Sequence, residues 1–249
     1  MSTKPASSAS PATAADEPLV LRRDRGEGIL QLILNRPGAF NSLSSGLMTA
    51  LQGELDAIRE DAAVRAVILN GAGRGFCAGH DLKEVRGLKT PAERRALMQQ
   101  CCRLMLSVVH SPKPVIAMVH GVATAAGCQL VASCDLAVAA DDARFATPGV
   151  NIGLFCSTPM VALGRNVSRK HAMEMLLTGE MMDAATAFRF GLVNRHVPAA
   201  ELDATAMAFA RQVAAKSSYT VKIGKEAFHR QLEMGLEDAY AYAAEVMVE

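Results

Sequence analysis

The residues with the most chemical promise lie in two segments where glycine stands among small side chains, FCAGHDLKE at 76–84 and HGVATAAGCQL at 120–130. Small side chains let a ligand reach the peptide backbone, so the groups on offer are amide N–H donors. In the first segment Ala78 and Gly79 precede a charged turn, which would aim the N–H of His80 outward. In the second, the small residues 123–127 follow an apolar strand and lead into an apolar helix. A helix that starts there leaves its first amides unpaired and turns the positive end of its dipole toward the loop, a setting suited to developing negative charge. Close packing of strand against helix accounts for the same composition, and the residues alone leave both readings open.

Other chemistries fail on spacing. The GAGRGF run at 71–76 follows an apolar strand but has Phe76 where a dinucleotide fingerprint needs its third glycine. Gly224-Lys225 is followed by Glu226, so there is no phosphate-gripping P-loop, and no G-x-S-x-G marks a nucleophile elbow. Cysteines 77, 101, 102, 128, 134 and 156 form no C-x-x-C pair and have no histidine at zinc spacing, so no metal site is expected. Most sit in apolar stretches and read as reduced, buried thiols. His80 offers either an acid–base imidazole or its amide alone. His120 reads as a turn or pocket-wall residue, and histidines 110, 171, 196 and 229 have no constellation around them.

The elements that must position the two loops alternate along the chain. Residues 28–34, 66–69, 115–119 and 136–139 are apolar and β-compatible. Leu47, Leu51, Leu55 and Ile58 recur at helical spacing, as do Leu97, Cys101, Leu104 and Val108. Buried strands separated by amphipathic helices predict an α/β class with largely parallel neighbours. From residue 198 onward the pattern turns all-helical, with a stripe at Leu202, Ala206, Phe209 and Val213.

Composition sets the outer bounds. In 249 residues, half are apolar and a fifth are charged, and 26 Lys+Arg against 25 Asp+Glu leave a net charge of +1. No basic stripe with interleaved aromatics is present, so nucleic acid is not the expected partner. Charges interrupt every apolar run before it reaches membrane-spanning length. Residues 1–18, rich in Ala, Ser, Pro and Thr, read as a disordered tail without a signal-peptide core, and with the reduced thiols they predict a cytoplasmic address.

Four ordered motifs resemble the crotonase (enoyl-CoA hydratase/isomerase) superfamily: NRPGAFNSL at 35–43, GRGFCAGHDLKE at 73–84, the run from PVIAMVHG to ARFATP at 114–148, and TGEMMDAATAFRFGLVNRHVP at 178–198. The resemblance runs from about Val20 to the end. It implies a spiral of ββα units, a core at 19–197 that binds acyl-CoA, and a C-terminal helical trimerisation region at 198–249 that lacks the family's last helix. It also implies a homotrimer or dimer of trimers in fatty acid metabolism, with a coenzyme A thioester as ligand and no other cofactor. The family's oxyanion hole carries over to the backbone of His80 and Ala126. Its coenzyme A contacts carry over to Phe40, Asn41, Ser42 and Leu43 and to Ala78, Asp81, Leu82 and Lys83, and its acyl pocket to Asn151 and Cys156.

The chain departs from the family where proton transfer is decided. The two glutamates of a hydratase correspond to Gln129 and Gly149, and the aspartate of dienoyl isomerases corresponds to Ser157. An amide does not exchange protons near neutral pH, and glycine has no side chain at all. General acids and bases supply on the order of 10²- to 10⁴-fold each, so standard hydration is expected to be severely reduced. Two functions stay open: a lyase or isomerase with atypical proton transfer, and a non-catalytic acyl-CoA-binding or interaction subunit. Cys156 reads as a nucleophile or, preferably, as structural filling.

Overall fold

The computed structural model describes residues 17–249. The tail reading for 1–18 therefore lies almost wholly outside the described residues. The strands are β1 (Val20–Asp24), β2 (Ile29–Leu34), β3 (Ala66–Gly71), β4 (Val115–Val119), β5 (Val122–Thr124), β6 (Leu136–Ala140), β7 (Arg144–Ala146), β8 (Met182–Asp183) and β9 (Arg195–Val197). The helices are α1 (Ser45–Glu60), α2 (Leu82–Gly87), α3 (Pro91–Val109), α4 (Ala126–Ser133), α5 (Pro159–Asn166), α6 (Arg169–Thr178), α7 (Ala184–Phe190), α8 (Leu202–Ala214), α9 (Ser218–Gln231) and α10 (Leu236–Val246).

Six strands form one sheet in the order β1-β2-β3-β4-β6-β9, and β5-β7-β8 form a second, smaller one. Only β1 runs antiparallel in the larger sheet, hairpinned onto β2, while β2, β3, β4, β6 and β9 are parallel neighbours. Of the parallel strands, β2, β3, β4 and β6 are buried on both faces, which is why they read as unbroken apolar runs, whereas β9 at the edge is largely exposed. Leu30, Leu32, Leu34, Val67, Leu69, Val115 and Ala117 point into one core with α1, α3 and α4. The alternate residues Ile29, Ala66, Ile68, Ile116, Met118 and Val138 face the other side, where Leu202, Ala206, Met207 and Ala210 of α8 cover them. The first helix after residue 198 thus completes the central sheet, whereas α9 and α10 bury no residue.

Local chemistry fixes the helix ends. Ser44 accepts the amide of Leu47 at the start of α1, and Thr90 with Glu93 forms a capping box on α3, with Pro91 in its first turn. The four strands anticipated from apolar runs are β2, β3, β4 and β6. The two- and three-residue strands β5, β7 and β8 carry too few residues for any period to show, and they are set by pairing with distant chain. No described helix is long and apolar enough to cross a membrane.

Because Leu51 is fully buried between α1 and the sheet while Leu236 is 75% exposed on α10, truncation to alanine separates core from surface. Leu51→Ala is expected to lower unfolding stability by about 3 kcal/mol and Leu236→Ala by less than about 0.5 kcal/mol. Urea denaturation midpoints of the two variants check this.

Candidate active site

The segment after β3 and the segment entering α4 are laced together by backbone bonds. The amide of Cys77 donates to the carbonyl of Val122 at 3.0 Å, and the amide of Thr124 donates to the carbonyl of Cys77 at 3.0 Å. The Thr124 hydroxyl donates to the carbonyl of Ala78 at 3.1 Å. On the other side, the amide of Leu43 donates to Gly79 at 2.7 Å, and the amide of Asp81 donates to Leu43 at 3.1 Å. Residues 77–81 are therefore held on both edges. Gly127 permits the contact, since a Cβ there would stand 2.0 Å from the Cys77 carbonyl oxygen.

Within this bracket the peptide N–H groups of His80 and Ala126 are among those left over. Neither His80 nor Ala126 donates its amide to an acceptor among the described residues. They lie close: a Cβ built on Gly79, whose φ is +92°, would be 3.3 Å from the Ala126 nitrogen. Ala126 is the first residue of α4, and the residue before it, Ala125, holds φ 50° and ψ −117° with no side-chain cap. A non-glycine residue in such a conformation carries roughly 1–3 kcal/mol of strain, and strain of this kind concentrates at functional sites. Ala125 is held there by its own amide, which donates to Ala146 of β7 at 2.9 Å. The arrangement can accept one oxygen bearing negative charge, aided by the N-terminal end of α4.

Two buried side-chain atoms on these segments have no partner among the described residues. Gln129, one turn into α4, is 4% exposed, and its Oε1 is shielded and makes no hydrogen bond. The Nε2 of His80 is likewise shielded and unpartnered. Burial pushes the His80 imidazole below its ordinary range, against a weaker opposing pull from Glu84. Burial also pushes the Cys156 thiol up, only partly offset by a backbone hydrogen bond at Gly149. Cys128, the residue before Gln129, is raised by burial to about 12. Thiolate chemistry is therefore disfavoured throughout.

Gly149 opens a short 3-10 turn, and the chain folds back tightly onto it. A Cβ at this position would stand 2.6 Å from the carbonyl oxygen of Leu154 and 2.9 Å from the Sγ of Cys156. Position 149 thus lacks a carboxylate and also lacks room for one. Ser157 is exposed and bonds its own loop through the Phe155 carbonyl at 3.3 Å, and Asn151 reaches the Gly179 carbonyl at 3.4 Å.

The residues 40–43 and 78–83 come together as one ledge beside the leftover amides. Several of their side chains are engaged in holding it. Asn41 is fully buried, accepts the amide of Arg36 at 2.8 Å and donates to Ala72 and Gly75, each at 2.8 Å. Asp81 caps α2 and pairs with Arg36 at 2.9 Å, and the Arg36 hydrogen bond holds its carboxyl below the usual range. The Arg36 guanidinium also donates to the Ser42 carbonyl at 2.7 Å. Phe40 is partly exposed with the Arg74 guanidinium 4.9 Å from its ring centre, and Leu82 and Lys83 are open to solvent. Sequence reasoning did not single out Arg36, Arg74 or Thr124, because their roles rest on contacts with distant backbone. His120 ties the 72–75 loop through the Gly73 carbonyl at 2.9 Å, His171 stacks on Phe190, and His196 pairs with Asp141 at 2.7 Å.

The sequence profile described as Enoyl-CoA hydratase/isomerase matches residues 24–249. The chain belongs to the enoyl-CoA hydratase/isomerase family. Among curated members, the rat protein named "Enoyl-CoA hydratase domain-containing protein 3, mitochondrial" is 43% identical over 242 residues, covering 97% of this chain and 81% of the relative. Among solved members, an enoyl-CoA hydratase from Mycobacterium smegmatis superposes with a TM-score of 0.91 at 51% identity, covering 93% of this chain and 90% of that one. The human enoyl-CoA hydratase domain-containing protein 3 superposes with a TM-score of 0.86 at 44% identity, covering 92% and 90%. These relatives support the crotonase-like α/β fold expected from the motifs, with domain-containing protein 3 among its similar members.

They also overturn one expectation. The cytoplasmic address is contradicted by the rat, mouse and human relatives, all of which are named mitochondrial. The expectation rested on residues 1–18, of which 1–16 lie outside the described residues, and on six cysteines that are indeed free. Free thiols report a reducing compartment and do not distinguish one such compartment from another.

Two measurements follow from this geometry. Gly149→Glu, alone or with Gln129→Glu, is expected to lower the melting temperature and to yield no gain in crotonyl-CoA hydration, since the Leu154 carbonyl must move first. A stable double variant with restored turnover would contradict the crowding at 149. For His80, a depressed folded-state value means the unfolded chain binds the extra proton first, so stability present above pH 6.5 is lost as pH falls through that region. His80→Gln is therefore expected to flatten the loss of thermal stability between pH 7 and pH 5, as followed by circular dichroism.

Proposed function

We propose that the chain binds an acyl-CoA thioester with its carbonyl oxygen between the N–H groups of His80 and Ala126, as an enoyl-CoA hydratase-like member of its family. The observation that carries this reading is the pair of unpartnered amides on neighbouring, hydrogen-bonded loops. Such donors favour an enolate oxygen over a ground-state carbonyl, and each is worth on the order of 3 kcal/mol of transition-state stabilisation. Because the donors are main-chain atoms, the side chains at 80 and 126 do not define the hole. The ledge formed by Phe40, Asn41, Ser42, Leu43, Ala78, Asp81, Leu82 and Lys83 is assigned to the coenzyme A moiety, and Asn151 and Cys156 to the acyl end.

Hydration adds the hydroxyl of one water at C3 and a proton at C2, and it needs groups that take and give protons. Gln129 can accept a hydrogen bond from a water through its unpartnered Oε1 but cannot exchange a proton, and Gly149 contributes nothing. Efficient hydration by two carboxylates is therefore excluded from the proposal. The crowding of Gly149 by residues 154–156 favours a second reading, a family member that retains ligand binding while its acid–base chemistry is gone. In either case a homotrimer or a dimer of trimers is part of the reading. Exposed Ile152, Leu154, Phe155, Met160 and Val161 support it, since they would profit from cover.

The test uses acetyl-CoA and crotonyl-CoA. A ¹³C-labelled thioester carbonyl is expected to shift to lower infrared frequency on binding, as two N–H donors polarise it. Crotonyl-CoA hydration is expected to run at least about 10³-fold below a two-glutamate hydratase. A bound carbonyl with its aqueous frequency would sink the oxyanion assignment, and hydratase-like turnover would sink the reading of Gln129 and Gly149.

A further inference from the structure

A second cavity lies at the other end of the sheet. Its walls are the last turn of α1, the end of α3 and one face of α9, and it encloses about 310 Å³ between Arg59, His110, Lys222, Lys225, Glu226 and His229. α1 and α3 end just before β3 and β4 begin, whereas His80 and Ala126 follow strands on the way out of the sheet. The cavity is therefore remote from the acyl-CoA ledge and independent of that assignment.

Its charge is unbalanced and its donors are free. Lys225, whose side chain is 9% exposed, is anchored at the base by Asp135 at 2.7 Å and by the carbonyls of Val108 and Lys113 at 3.2 and 3.4 Å. Among the described residues Arg59, Lys222, His110 and His229 have no ion-pair or hydrogen-bond partner, and Glu226 is the sole carboxylate of the wall. Two guanidinium or ammonium groups and two imidazoles thus face one space with their donors unused, over a buried ammonium. A larger groove of about 710 Å³ between α1 and α3 shares Arg59 and His110 with this cavity and is lined further by Met48, Gln52, Gln100 and Leu106. Its walls mix apolar surface with Asp56, Arg103 and the amides of Gln52 and Gln100, which already donate to Asp56 and Ser107 and to Ser45 and Thr49, respectively.

We propose that this cavity is a binding site for a phosphate monoester, its dianionic head among Arg59, Lys222, His110 and His229 and its organic part along the α1–α3 groove. Guanidinium and ammonium groups supply fixed charge and directed donors to the phosphate oxygens. The imidazoles add charge when protonated. The charged groups that face His229 are Asp135 and Glu226, which favour its protonation, and Lys225, Lys222 and Arg59, which oppose it. Burial and the neighbouring Lys225 and His110 already hold His229 below its ordinary range, so a bound dianion is expected to raise it.

The experiment uses the intact chain and three probes: sulfate, whose charge stays constant between pH 5.5 and 8, inorganic phosphate, and glycerol 3-phosphate. Sulfate is expected to raise the midpoint of His229 in histidine-detected NMR relative to chloride at equal ionic strength. Its affinity is expected to fall as pH rises through that midpoint. The variant Arg59→Ala with Lys222→Glu, built on exposed and unpaired side chains, is expected to weaken binding at least tenfold with an unchanged circular dichroism spectrum, while Lys170→Glu on α6 changes nothing. Glycerol 3-phosphate binding several-fold tighter than phosphate supports the ester. Equal affinity overturns the ester assignment, and histidine midpoints of the intact chain that ignore all three probes overturn the site.

Discussion

The parallel bridge between Cys77 and Ala123 is the contact from which the candidate site follows. It is a backbone contact, made where two strands that belong to different layers run out of the sheet together. Once Cys77 is fixed against Val122 and Thr124, Gly79 must lie beside the start of α4, and the amides of His80 and Ala126 have nowhere to find protein acceptors. Gly127 makes the approach sterically possible. Ala125 bears the conformational strain of the sharp entry into the helix, and Arg36 with Asn41 keeps the outer edge in place. Side chains of this neighbourhood act chiefly as braces for main-chain donors.

This division explains what was legible in the sequence. Apolar runs and helical stripes disclosed β2, β3, β4, β6, α1, α3 and α8, because burial imposes a period on each. The small residues of the two loops disclosed where backbone would be accessible, and their motifs disclosed the family. What was not legible depends on pairs of distant residues. Nothing in the local pattern announces that Arg36 holds Asp81 and the Ser42 carbonyl, or that Thr124 secures Ala78. The closure of residues 154–156 over Gly149 was hidden for the same reason, and it changes an absent glutamate into a space where none fits. The address inferred from composition failed because the residues and thiols it relied on do not discriminate between compartments.

The electrostatics of the site are consistent with its geometry. Burial favours the neutral form of the His80 imidazole and raises the thiols of Cys77, Cys128 and Cys156, Cys77 and Cys128 to about 12. Gln129 is uncharged by nature. The positive end of α4 and the two amides are thus left as the principal field at the proposed oxyanion position. Such a site is well matched to an oxygen that gains charge during reaction, and poorly matched to shuttling protons.

The placement of α8 bears on how the chain reaches its native state during synthesis. One entire face of the central sheet waits for Leu202, Ala206, Met207 and Ala210, and the edge strand β9 arrives only at Arg195. A nascent chain that ends before Arg195 therefore presents a broad greasy sheet surface and an unpaired rim, a combination that invites association between unfinished chains. The central sheet is thus closed late in synthesis, since the helix that covers its second face comes from residues 202–214.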